Sequence, residues 1–166
     1  MTELILALDV PVKREALAIA ELCAPHLDAI KLGYPLVLSA GLSIARDLEA
    51  LDLPLIADFK LADIPNTNRL IAEQVFDAGF SSIICHGFTG GDAVQACVDA
   101  AADYGGACFV VAEMSHPGAT AFFHSGTAEK IAELAVSCGA DGIIVGRAIY
   151  EAKDPVTAIK TFSSVR

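Results

Sequence analysis

The sequence predicts an α/β fold of parallel strands, read as one (β/α)-barrel domain over residues 1–166. Three observations predict it. Strand-sized apolar runs alternate with amphipathic helical segments along nearly the whole chain. Those runs are continuous, as suits strands buried on both faces, in a chain that is 54% hydrophobic with mean hydropathy +0.54. Polar residues gather where the strands end: Asp9, Lys31, Asp58 with Lys60, His86, Ser115 and Arg147. Right-handed crossovers leave an open doubly wound sheet or a closed barrel, and periodicity alone does not separate them. The polar ends favour the barrel, which brings every strand end to one mouth. An open sheet gathers only those near its switch point.

Each element follows from local pattern. Leu4–Leu8 reads as the first strand, ending at Asp9, and Pro11 opens a helix to about Cys23 with Glu15 and Glu21 on its polar side. Asp28–Leu32 is the second strand, with a helix over about Leu36–Leu51. Leu55–Lys60 is the third, and Pro65 starts a helix that ends near Gly79. Ser81–Cys85 and Asp92–Tyr104 form the fourth strand and helix. Ala107–Met114 is the fifth strand, followed by a long connection and a helix over Thr127–Cys138. Gly142–Val145 is the sixth strand, and a last helix begins at about Pro155. The connection Ser115–Gly126 is long enough to be functional and reads as part of a pocket, with Phe122 and Phe123 packing it.

Composition excludes several functions. A net charge of −10 argues against nucleic-acid binding, which needs a basic face. No apolar run approaches the ~20 residues of a membrane span, and Met1-Thr2-Glu3 does not resemble a signal peptide, so a cytoplasmic protein is expected. The five cysteines are widely spaced without a CxxC pair and read as reduced thiols. The four histidines show no metal-ligand spacing, so no metal site is expected.

The densest chemistry lies in Asp58-Phe59-Lys60-Leu61-Ala62-Asp63-Ile64-Pro65-Asn66-Thr67. Alternation along a strand points Asp58 and Lys60 the same way, with Asp63 just beyond, so a lysine stands between two carboxylates at the sheet's mouth. A bare Asp-x-Lys would serve equally as a solvated charge cluster. His86 reads as a satisfied structural histidine.

The ten-residue stretch resembles the signature of orotidine 5'-monophosphate decarboxylases, particularly archaeal ones. Related phosphosugar decarboxylases and aldolases share Asp-x-Lys-x-x-Asp, but Ile64-Pro65-Asn66-Thr67 is more typical of the nucleotide enzyme. Other blocks agree in order: Leu6–Asp9, Ile30–Gly33, Cys85-His86-Gly87, Glu113–Gly118 and Ile144–Tyr150. The resemblance implies a TIM (β/α) barrel of the ribulose-phosphate-binding type, decarboxylation of orotidine monophosphate without cofactor, and a homodimer with shared active sites. Lys60 would donate the proton to C6, Asp58 would lie by the substrate carboxylate, and Lys31 would contact the ribose and hold Asp58. Asp9 would bind the ribose, Ser115 the pyrimidine amide edge, and Arg147 with the Gly146 backbone the phosphate. Asp63, Ile64 and Thr67 would reach into a partner's site. Taken alone, Asp9 could be a helix cap, Lys31 a snorkelling surface lysine and Arg147 a structural ion pair. Two other functions stay open: a metal-using phosphosugar decarboxylase or aldolase, and a shortened non-catalytic binding or dimerisation module.

One departure stands out. Eight-unit barrels usually need about 250 residues, and this chain of 166 shows six units. Gly139–Gly142 leaves a helix where the family's sixth strand begins, yet runs directly into Ile143–Tyr150, which resembles the eighth. Strands six and seven and the phosphate-gripping glutamine loop then have no counterpart. Either the 166 residues omit a segment near 139–143 or the chain is shortened. Omission is favoured, because natural sheets do not leave edges bare.

Overall fold

The computed structural model describes residues 4–114, 116–124, 126–145, 153–154, 156–157 and 160. Six strands alternate with helices: β1 (Ile5–Leu8), α1 (Lys13–Cys23), β2 (Ala29–Gly33), α2 (Tyr34–Ala40), α3 (Ile44–Leu48), β3 (Leu55–Leu61), α4 (Pro65–Asp77), β4 (Ser82–His86), α5 (Gly91–Asp103), β5 (Ala107–Val111), α6 (Thr127–Ser137) and β6 (Gly142–Ile144). All paired strands are parallel, in the order β1-β2-β3-β4-β5-β6. A strictly sequential order has no switch point, so the doubly wound alternative is excluded.

The large core lies between the sheet and its helices. Helices present apolar residues, mostly alanines, at helical spacing to the strands, such as Ala16 and Ala20 of α1 and Ala128, Ile131, Ala132 and Ala135 of α6. Leu8, Ile30, Leu32, Ala57, Ile83, Cys85, Cys108 and Val110 meet them from the sheet. The opposite face carries a smaller apolar layer of Ala29, Ile56, Ile84 and Val111, with Phe109 and Met114 against it. Apolar Ile5 and Ile144 on that same face are exposed at the two outer strands. Among the described residues β6 does not pair with β1, so the predicted closed barrel is an open run of six units.

Three local expectations are corrected. The helix predicted over Leu36–Leu51 is broken into α2, α3 and a 3-10 turn at Glu49–Leu51, because Gly41 at φ 77° ends α2 in a conformation that glycine tolerates best. The fifth strand stops at Val111, short of Met114. Phe122 does not pack its loop: it is 83% exposed, while Phe123 lies edge-on to Phe88 at 6.1 Å. The loop also holds a 3-10 turn, Pro117–Ala121. The helix expected from Pro155 lies largely outside the described residues. Of the cysteines, Cys85, Cys97 and Cys108 are buried, Cys23 and Cys138 half-buried, and all five free. No helix among the described residues is long and apolar enough to cross a membrane.

Candidate active site

The inner apolar layer sets the floor of the site. Side chains two residues apart on a strand share a face. Lys31 therefore stands above Ala29, Asp58 above Ile56 and His86 above Ile84, all at the strands' C-terminal ends. Asp9 follows Ile5 and Ala7 on the same face of β1.

Strand β3 departs from regular geometry at this point. Ala57 pairs with Ile83, but the next pairing is Leu61 with Cys85, so β3 spends two more residues than β4 over the interval. Such a bulge re-aims side chains and is common beside functional sites. Two extra residues preserve the alternation: Ala57, Phe59 and Leu61 stay in the helix-side core while Asp58 and Lys60 face the mouth. Lys60 itself sits at φ 47°, one of two non-glycine residues with positive φ among those described. A left-handed backbone at a lysine costs about 1–2 kcal/mol, which the surrounding fold must offset.

The side chains form a continuous charge array. Lys31 Nζ donates to Asp58 Oδ2 at 2.6 Å and Lys60 Nζ to Asp58 Oδ1 at 2.5 Å. Lys31 Nζ lies 3.8 Å from Asp9 Oδ2, which extends the array to β1. The Asp58 side chain is 12% exposed. Burial pushes its carboxyl up, but hydrogen bonds from Lys31 and Lys60, with their charges, outweigh burial and hold it below the usual carboxylate range. Asp58 is therefore a fixed anion between two ammonium groups.

Asp63 is not the second flank of Lys60 within this chain. Its Oδ1 accepts the Ile64 N–H at 2.7 Å, and it forms no ion pair with Lys60. The strand has ended by then, so alternation no longer sets its direction. Ile64 is the N-cap of α4 and 65% exposed, and Thr67 lies half-buried in the first turn. Ser115, Gly146 and Arg147 lie outside the described residues.

Asn68 was not singled out from the sequence. It is fully buried, its Oδ1 accepts the Asp63 N–H at 3.1 Å, and its Nδ2 donates to the Ala93 carbonyl on α5 at 3.4 Å. It ties the loop after β3 to two helices. An asparagine four residues into a Pro-initiated helix was the available signal. His86 also differs from expectation. It is buried, but its Nδ1 has no hydrogen-bond partner, so it is not a satisfied structural histidine. No group of three or more His, Cys, Asp or Glu side chains that could hold a metal ion occurs among the described residues.

Fold and site together define a parallel β/α protein of six units, an open part of a barrel, with an Asp-Lys-Asp-Lys array at the C-terminal ends of its strands. Residues 2–137 match the family described as orotidine 5'-phosphate decarboxylase / HUMPS, and the chain belongs to that family. It is 57% identical over 143 residues to the orotidine 5'-phosphate decarboxylase of Methanosarcina mazei, a match covering 86% of this chain and 64% of the relative. It is 36% identical to the Pyrococcus furiosus enzyme of the same name over 204 residues, covering 95% of this chain and 94% of that one. That alignment is longer than the 166-residue chain, so the relative carries internal positions with no counterpart here. The solved structure of orotidine 5'-monophosphate decarboxylase from Methanocaldococcus jannaschii, complexed with inhibitor BMP, superposes with TM-score 0.80 at 34% identity, covering 99% of this chain and 98% of that one.

Proposed function

We propose that this chain carries the site of an orotidine 5'-monophosphate decarboxylase, converting the nucleotide to uridine monophosphate and CO2. The observation that carries the proposal is the pair of lysines, Lys31 and Lys60, bound to opposite oxygens of one buried carboxylate, Asp58, at a barrel mouth. Family membership supports it.

The chemistry fits the array. Breaking the bond from C6 to the carboxylate leaves its electron pair in the ring plane, outside the π-system. A fixed ammonium stabilises that developing charge in a water-poor site. Lys60 then gives one proton to C6 and becomes a neutral amine, which solvent reprotonates. Asp58 stays ionised because its lysines hold it so, and it repels a substrate carboxylate set beside it until CO2 departs. Asp9 and Lys31 contribute ribose binding, and Ser115, Gly146 and Arg147 hold the pyrimidine edge and phosphate. Contacts remote from C6 contribute binding energy realised in the transition state. No step calls for a metal or organic cofactor.

Asp63, Ile64 and Thr67 are proposed to serve the site of a second copy in a homodimer. Support comes from Ile64, an apolar residue left 65% exposed, and from Asp63, which pairs with no cation among the described residues. We propose that the positions absent relative to Pyrococcus furiosus belong near 139–143; support comes from α6 running within a few residues into β6. A cytoplasmic setting suits a nucleotide substrate.

The outer strands, unpaired among the described residues, favour a second reading, a shortened non-catalytic binding module. Loss of the orotate chromophore, followed with and without chelator, separates the possibilities. Chelator-insensitive turnover supports the proposal. Turnover that needs magnesium identifies the phosphosugar chemistry of the superfamily, and folded protein without turnover identifies the module.

A further inference from the structure

His86 occupies the mouth by the same geometry as Lys31 and Asp58, two residues beyond an inner-layer apolar side chain. It is 7% exposed, and its Nδ1 is buried without a hydrogen-bond partner. Buried polar atoms are nearly always paired, so an orphan beside a reactive array points to a partner acquired in the working state. Packing walls the ring off from water: Phe88 lies 4.7 Å away at a tilt of 41°, with Phe123 behind it.

The charged and titratable groups that bear on the ring are Lys60 and Asp58 of β3 and its own neighbour Cys85. Burial first, then the Lys60 charge, pushes the imidazole below its usual range, so it is neutral at neutral pH. A neutral imidazole offers one N–H and one lone pair. Lys60 has three ammonium hydrogens and spends one of them on Asp58 Oδ1.

We infer that His86 is a positioning residue for the decarboxylation: its Nδ1 carries the lone pair and accepts a second hydrogen of the Lys60 ammonium when substrate fills the mouth, leaving the third aimed at C6. The inference rests on the decarboxylase reading above. His86 neither gains nor loses a proton in the step; the proton that reaches C6 comes from Lys60.

Two measurements test it. Long-range proton–nitrogen correlation spectra of the imidazole report the tautomer without any turnover. The expected result is an unprotonated Nδ1 and a protonated Nε2 on His86; the opposite tautomer overturns the inference even in an active protein. Kinetics then compare His86→Asn, which keeps an acceptor near the Nδ1 position, with His86→Leu, which does not. His86→Leu is expected to lower kcat about tenfold with KM changed by less than about twofold, the loss of one charge-assisted hydrogen bond. His86→Asn recovers most of that loss. Wild-type activity in His86→Leu, or equal losses in both variants that track their melting temperatures, overturns the role. A wild-type chain without turnover refutes the decarboxylase reading instead, and the tautomer then decides on His86 by itself.

Discussion

Lys60 reaches Asp58 Oδ1 at 2.5 Å from a backbone held at φ 47°, so the residue that makes the ion pair also carries the strain of the β3 bulge. The two properties can be separated by substitution. Lys60→Ala removes the ammonium and keeps a Cβ in the left-handed region; Lys60→Gly removes both. Lys60→Gly is expected to be more stable than Lys60→Ala by about 1 kcal/mol in denaturant titrations, the reverse of the usual order within a strand. Neither variant is expected to decarboxylate. A more stable alanine variant would contradict the strained bulge.

Asp58 links the array to pH. An unfolded aspartate titrates near about 3.9, and the folded Asp58 lies lower because its two lysine hydrogen bonds outweigh burial. Its contribution is fully present above the unfolded value and is lost as pH falls through the folded one. The stability advantage of the wild type over Asp58→Asn is therefore expected to hold from neutral pH down to about pH 4 and to shrink below it. Unfolding free energies across an acid series check this; an advantage that grows on acidification contradicts it.

Gly33 pairs with Asp58 across β2 and β3, and a methyl group at Gly33 would strike Asp9 Oδ1. That oxygen ends a short flexible side chain at the surface, so it moves aside with little loss of stability. Gly33→Ala is expected to shift the Asp9 carboxylate, raise KM about tenfold and leave the melting temperature nearly unchanged. A fall in stability with unchanged KM would show that Asp9 has no part in binding.

Asn68 is the buried tie behind the loop that carries Asp63. Asn68→Ala leaves the Ala93 carbonyl and the Asp63 N–H without that side chain and is expected to destabilise the fold by about 1–3 kcal/mol. Amide exchange at Asp63 should accelerate more than at the middle of α5. Uniform acceleration would assign Asn68 to general packing.

The strands were legible because each is a short apolar run ended by a polar residue. Alternation alone then put Asp58 and Lys60 on one face, where the structure joins them at 2.5 Å. Three features were not legible, each for a physical reason. The bulge at Asp58–Lys60 carries no glycine or proline to mark it, and its cause is the register against β4. The role of Asn68 depends on a carbonyl of α5, 25 residues away in sequence. The free nitrogen of His86 depends on the aromatic wall of Phe88 and Phe123, supplied by separate connections. Barrel closure was inferred from polar strand ends, which report where strands finish and say nothing of whether the outermost pair meets. Asp63, expected as the second carboxylate flanking Lys60, lies beyond the strand's end at Leu61, where its Oδ1 instead accepts the Ile64 N–H.

The most direct test of Lys60 as the proton donor is decarboxylation of orotidine 5'-monophosphate in heavy water, with the uridine monophosphate read by proton NMR. The wild-type chain is expected to yield product with deuterium at C6, and Lys60→Ala to yield none while remaining folded. Product of the same kind from Lys60→Ala at a comparable rate would show that another group protonates C6.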